Sequence, residues 1–147
     1  MSGTTIDLEF DGYWPIFNTA DTINTSGIYC IYAMKKDSHN KLSSGRLIYV
    51  GEGQKVQDRL KNHNRLQNGQ QKPLDSFLSS DEYLYYSVAP VTSGTDNRKR
   101  AEAALIFELQ PQANTSNKVA FTYPETTIES SGKSYEIPNS FTVYKTN

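Results

Sequence analysis

Arg59 and His63 stand four residues apart, and Val56, Leu60, His63 and Gln67 around them recur at helical spacing. The guanidinium and the imidazole therefore share one helix face. An arginine can clamp a phosphate in two directions, and a histidine beside it can hydrogen-bond or move a proton. The same pair also reads as two surface groups with no task. Glu102 heads a second pattern, with Leu105, Ile106 and Leu109 three, four and seven positions further on. A carboxylate on an apolar stripe is costly to bury without a cation. It reads equally as a first-turn acid that favours the helix dipole and reaches solvent. Two short segments, "GIY" at 27–29 and "YVG" at 49–51, each set a tyrosine beside a glycine. Asn114, three residues past Pro111, reads by itself as a turn or capping residue, and His39 as a solvated loop residue.

The elements that must hold these groups follow from periodicity. "GIYCIYA", 27–33, is β-branched and aromatic and predicts a buried strand; "LIYVG", 47–51, predicts a second, antiparallel to the first across a polar turn. A helix follows Gly53 and ends by Gly69, and Pro73 opens a short helix over 73–80. "EYLYYSVAP", 82–90, is a third strand. A strong helix runs from about 98 to 110, with Thr95 or Asp96 as its N-cap and Pro111 as its stop. "YWPIFN", 13–18, is an aromatic segment broken by Pro15, and 126–138 reads as a hairpin turning at Ser131–Gly132. The expected fold is α+β: a small three-stranded antiparallel sheet flanked by helices, with a short N-terminal extension. The chain is expected to form a single domain over 1–147, with a core at 27–114 and a β-rich C-terminal appendix at 115–147.

The chain has 147 residues, 15 Lys and Arg, 16 Asp and Glu, and one cysteine, Cys30. One cysteine leaves no internal disulfide and no multi-cysteine zinc site. No secretory signal pattern and no membrane span are read in the sequence, so an intracellular, cytoplasmic setting is expected. The charge is unevenly placed. Residues 41–72 hold seven Lys and Arg against Glu52 and Asp58, and "RKR" follows at 98–100. Lys55, Lys61, Arg65, Arg98, Lys99 and Arg100 are the candidate contacts to a phosphate backbone. The alternative is a solvated helix face.

Taken in order, Gly27-Ile28-Tyr29, Tyr49-Val50-Gly51, Arg59, His63, Glu102 and Asn114 resemble the GIY-YIG nuclease family over residues 27–114. The resemblance implies a divalent-metal-dependent endonuclease that hydrolyses DNA phosphodiester bonds. It implies that both tyrosines converge with Arg59, His63 and Glu102 at one end of the sheet. Glu102 is then the protein ligand of Mg2+ or Mn2+, Arg59 holds the scissile phosphate, Tyr29 is the general base, Tyr49 positions water or phosphate, and Asn114 steadies the loop. Glu52 departs from the basic or small polar residue usual after the second motif, and is expected to point to solvent. A structure-selective or single-strand-selective nuclease, or a catalytically silent nucleic-acid-binding or partner-binding module, fits the same residues. The partner that the resemblance implies is DNA, not a membrane, and a one-site enzyme would cut a duplex only as a dimer or by two successive nicks.

Overall fold

The computed structural model describes residues 3–16, 24–63 and 74–147, apart from the side chains of 61–63. Its elements are β1 (Thr4–Pro15), β2 (Gly27–Lys36), β3 (Leu42–Gly53), α1 (Val56–His63), a 3-10 turn (Leu74–Phe77), β4 (Glu82–Pro90), α2 (Thr95–Leu109), β5 (Thr126–Gly132) and β6 (Ser140–Val143). The strands form one six-stranded sheet in the order β3-β2-β4-β1-β5-β6. It is mixed and curled into a half-barrel, which overturns the expected small three-stranded antiparallel sheet flanked by helices. The three expected strands do pair antiparallel, with β2 between β3 and β4. They make up only half of the sheet, because β1 pairs antiparallel with β4 and parallel with β5.

The extra half arises from a period-two signal in the first residues. Ile6, Leu8 and Phe10 point inward and are buried, while Thr5, Asp7, Glu9 and Asp11 between them are exposed. That alternation makes a strand with one wet face, and the N-terminal extension is therefore an interior strand of the sheet. The segment after 115 is likewise no appendage. Thr126 to Gly132 run in register beside Thr4 to Phe10, and Ile128 is fully buried. The β5–β6 connection then reaches back across the curl. The Tyr32 hydroxyl donates to the Tyr135 carbonyl at 2.9 Å, the Tyr135 N–H donates to the Tyr13 hydroxyl at 3.0 Å, and the Leu47 N–H donates to the Glu136 carboxylate at 2.5 Å. The expected hairpin over 126–138, turning at Ser131–Gly132, is not formed: β5 runs straight through Gly132, and residues 126–129 pair instead with 140–143 of β6, beyond the expected range.

β2 is buried from Gly27 through Met34, as its unbroken apolar run requires of a strand covered on both faces. Ile28, Cys30, Tyr32 and Met34 join the core under α2; Tyr29, Ile31 and Ala33 join a second core with Val56 and Leu60 of α1. Burial raises the Cys30 thiol pKa well above its ordinary value. Helix α2 begins earlier than expected: its N-cap is Gly94, and neither Thr95 nor Asp96 supplies a side-chain cap. It ends at Gln110 in the left-handed conformation, whose N–H closes on the Ile106 carbonyl at 2.9 Å before Pro111. Among the described residues no helix is long and apolar enough to cross a membrane.

Candidate active site

The pairing register explains why each tyrosine travels with a glycine. Tyr29 lies directly opposite Gly51, and Ile31 opposite Tyr49, so Tyr29 and Tyr49 are diagonal neighbours on the α1 face. A Cβ at Gly51 would run into the Tyr29 ring and hydroxyl, so only glycine leaves room for that ring to lie across β3. A Cβ at Gly27 would strike the Ala89 carbonyl on β4, and one at Gly53 would sit 2.7 Å from Cγ of Arg59. The missing side chains at Gly51 and Gly53 leave space that the Tyr29 ring and Arg59 fill. The two rings lie 6.2 Å apart between centroids, at 32°.

Arg59 hydrogen-bonds the Tyr29 hydroxyl, and the Tyr29 and Tyr49 hydroxyls are hydrogen-bonded to each other. Tyr29 is fully buried, Tyr49 is half-buried and Arg59 is exposed. Burial pushes the Tyr29 phenol well above its ordinary pKa; Tyr49 adds to that rise, and Arg59 opposes it without reversing it. Tyr49 is raised by burial and then by the nearby charge of Glu102. Both phenols therefore keep their protons near neutral pH. Arg59 is raised too: burial works against its charge, and the bond and field of Tyr29 outweigh that.

Glu102 comes from α2, on the opposite face, and meets the tyrosines at the outer edge of β3. That edge has no partner strand among the described residues and is covered by side chains instead. Asn114 is buried and grips Val50 twice: the Val50 N–H donates to Oδ1 and Nδ2 donates to the Val50 carbonyl, both at 2.9 Å. The Ala113 N–H donates to the Ile48 carbonyl at 2.8 Å. Two residues beyond Val50, the Glu52 N–H points the same way along the strand and donates to the Glu102 carboxylate. Asn114 thus behaves as a fragment of a missing strand that holds the backbone between Tyr49 and Gly51. Burial, and then the charge of Glu52, push the Glu102 carboxyl up to about 7, against the opposing fields of Lys99 and Arg59.

Glu52 does not point to solvent. It is half-buried, its Oε1 accepts from Nε of Arg98, and its Oε2 lies 3.5 Å from Nζ of Lys99. The expected phosphate contacts on α2 are consequently engaged within the fold. Arg98 is buried, and Arg100 bonds the Thr126 hydroxyl and the carbonyls of Pro124 and Glu125. Lys99 is half-exposed and Lys55 is exposed. Arg65 and the side chains of Lys61 and His63 lie outside the described residues. Of the six expected catalytic residues, the structure brings Tyr29, Tyr49, Arg59 and Glu102 to one place, with Asn114 beside the edge of β3. The roles of Arg98 and Glu52 in this cluster were missed. The spacing of Arg98 and Glu102, four apart on one helix, was the signal for them.

Of the described residues at this site, Glu102 is the one that could hold a hard divalent cation. Glu102 offers carboxylate oxygens, makes no ion pair among the described residues, and sits where burial makes its bare charge costly. Among the described residues no three His, Cys, Asp or Glu gather. Glu102 would thus anchor Mg2+ or Mn2+ alone, with water and substrate oxygens completing the shell. No family model, curated protein or solved structure matches the chain.

Proposed function

We propose that the chain is a divalent-metal-dependent endonuclease that hydrolyses DNA phosphodiester bonds through a GIY-YIG-type site. The observation that carries this reading is the meeting of two hydrogen-bonded phenols, one guanidinium and one carboxylate, drawn from four different elements. In this reading Arg59, exposed above Tyr29, takes the scissile phosphate as a two-pronged donor. Bound Mg2+ or Mn2+ at Glu102 supplies positive charge against the negative charge that gathers on the phosphoryl oxygens and the leaving oxygen. The Tyr29 hydroxyl, held protonated by its burial, orients Arg59 and Tyr49 and does not serve as the general base that the resemblance implies. Tyr49, half-buried at the surface of the cluster, presents its hydroxyl to water or phosphate. The proton of the attacking water is assigned to His63, because histidine is the side-chain type able to take up a proton near neutral pH. Asn114 keeps the Tyr49–Gly51 backbone in place.

A plasmid-nicking assay with Mg2+ and with Mn2+ tests the reading, run beside Glu102→Gln and Arg59→Ala. Metal-dependent nicking that each substitution lowers by roughly 10²–10³ is expected. Stable, folded wild-type protein that nicks no DNA substrate, single-stranded, branched or duplex, would overturn it in favour of a silent binding module.

A further inference from the structure

Arg98 stands one helical turn before Glu102, so both side chains leave α2 on the same face. It is 7% exposed, and its fork reaches in two directions. Nε donates to Oε1 of Glu52 at the end of β3, and Nη1 donates to the Ser26 hydroxyl at 2.9 Å, just before β2. Glu52 passes its backbone N–H to the Glu102 carboxylate. The Ser26 carbonyl accepts the Val91 N–H from the end of β4 at 2.8 Å. A single guanidinium therefore ties the helix of Glu102 to the ends of the strands that carry Tyr29 and Tyr49. A lysine ammonium, a compact point charge, cannot reproduce a planar fork that bonds two elements at once.

We propose that Arg98, acting through Glu52 and Ser26, is a positioning residue that sets the Glu102 carboxylate against the tyrosine pair and so builds the cation site. This rests on the reading of Glu102 as the metal anchor. Two plainer roles make different forecasts. A guanidinium that acts only through its charge repels a divalent cation, so removing it tightens binding. One that only stabilises the fold lowers the melting temperature on removal and leaves affinity alone. The latch forecasts weaker binding, as loss of a group that orients a ligand commonly costs about 10–100-fold in metal affinity.

Calorimetric titration of Mn2+ into the full chain decides the matter, for wild type, Arg98→Met, Arg98→Lys and the milder Ser26→Ala, beside thermal melts and nicking kinetics. Expected are Mn2+ affinities at least about tenfold weaker in both Arg98 variants, a matching fall in kcat, an unchanged KM for DNA, and a smaller loss in Ser26→Ala. Arg98→Lys keeps the charge and serves where Arg98→Met does not fold. Folded Arg98 variants that bind Mn2+ as tightly as a binding-competent wild type, or more tightly, overturn the latch alone. A wild type that binds no Mn2+ overturns the metal reading of Glu102 and the latch with it.

Discussion

The two halves of the sheet are built on opposite terms. β3, β2 and β4 are covered on both faces, by α2 on one side and by α1 and the 3-10 turn on the other. Residues 4–11 of β1, and β5, are covered only on the α2 side; their other face shows Asp7, Glu9, Asp11 and Glu129 to solvent, and only past the bulge at Gly12 does β1 send Trp14 to the α1 side. The difference is one of desolvation. A polar group between two covered faces meets a low dielectric, so Tyr29, Tyr49 and Glu102 are each shifted by burial first and by a neighbouring group second: Tyr49 for Tyr29, Glu102 for Tyr49, and Glu52 for Glu102. Carboxylates on a wet face cost little to hold and organise nothing. Perturbed groups collected in one place mark a functional candidate, and they collect in the doubly covered half.

The sharpest way to break that contrast is at Glu102. Besides the loss of nicking, Glu102→Gln should change how stability depends on pH. The folded chain holds the Glu102 proton up to about 7, above the usual carboxylate range. Between that range and 7 the folded state binds more protons than the unfolded one, so stability falls as pH rises through this window. Glu102→Gln should remove that fall in metal-free melts, and nicking by the wild type should climb through pH 7 as the carboxylate ionises. A Glu102→Gln protein with an unchanged stability profile between pH 5 and about 8 would remove the basis of the contrast.

Gly51→Ala tests the close packing of the same half. The added methyl must displace the Tyr29 ring. A stability loss at the upper end of the roughly 1–3 kcal/mol cost of overpacking is expected in urea unfolding, together with lost nicking. Arg46 and Glu82 form a smaller device at the far end of the same strands: Glu82 is buried, accepts two bonds from the guanidinium, and is held down to about 2, chiefly by those bonds. Because its folded pKa is depressed, its stabilisation is present above the ordinary carboxylate range and is lost as pH falls toward 2. Arg46→Met should cost about 1–2 kcal/mol at neutral pH and flatten acid unfolding, while nicking persists. The smallest effect belongs to the wet half. Asp7 and Glu129 are register partners on β1 and β5, a like-charge pair. Glu129→Lys should stabilise the chain by about 0.2–1 kcal/mol in the same unfolding assay, with no change in nicking.

Much of the candidate site was legible because its residues are local in type and spacing. The tyrosine–glycine pairs, the Arg59 turn and the Glu102 stripe each declare a strand or a helix face within ten residues. Glu52 was misjudged because its environment comes from a residue 46 positions away: Arg98 closes over it and takes it out of water. The alternation of Ile6, Leu8 and Phe10 carries the β1 strand, although the segment was expected to be only a short N-terminal extension. Its parallel pairing with β5 joins segments more than a hundred residues apart, and neither strand carries a mark of its partner.

What the sequence determined by itself was periodicity: which segments are strands or helices, which faces are apolar, and that Tyr29, Tyr49, Arg59 and Glu102 sit at positions able to share a face or an end. Tertiary structure alone decided the six-stranded order, the side-chain covering of β3's edge by Asn114 and Glu102, and the burial of Arg98 on Glu52. The reason is range. Backbone propensity acts over a few residues, whereas desolvation and ion pairing depend on which distant segments exclude water from the same place.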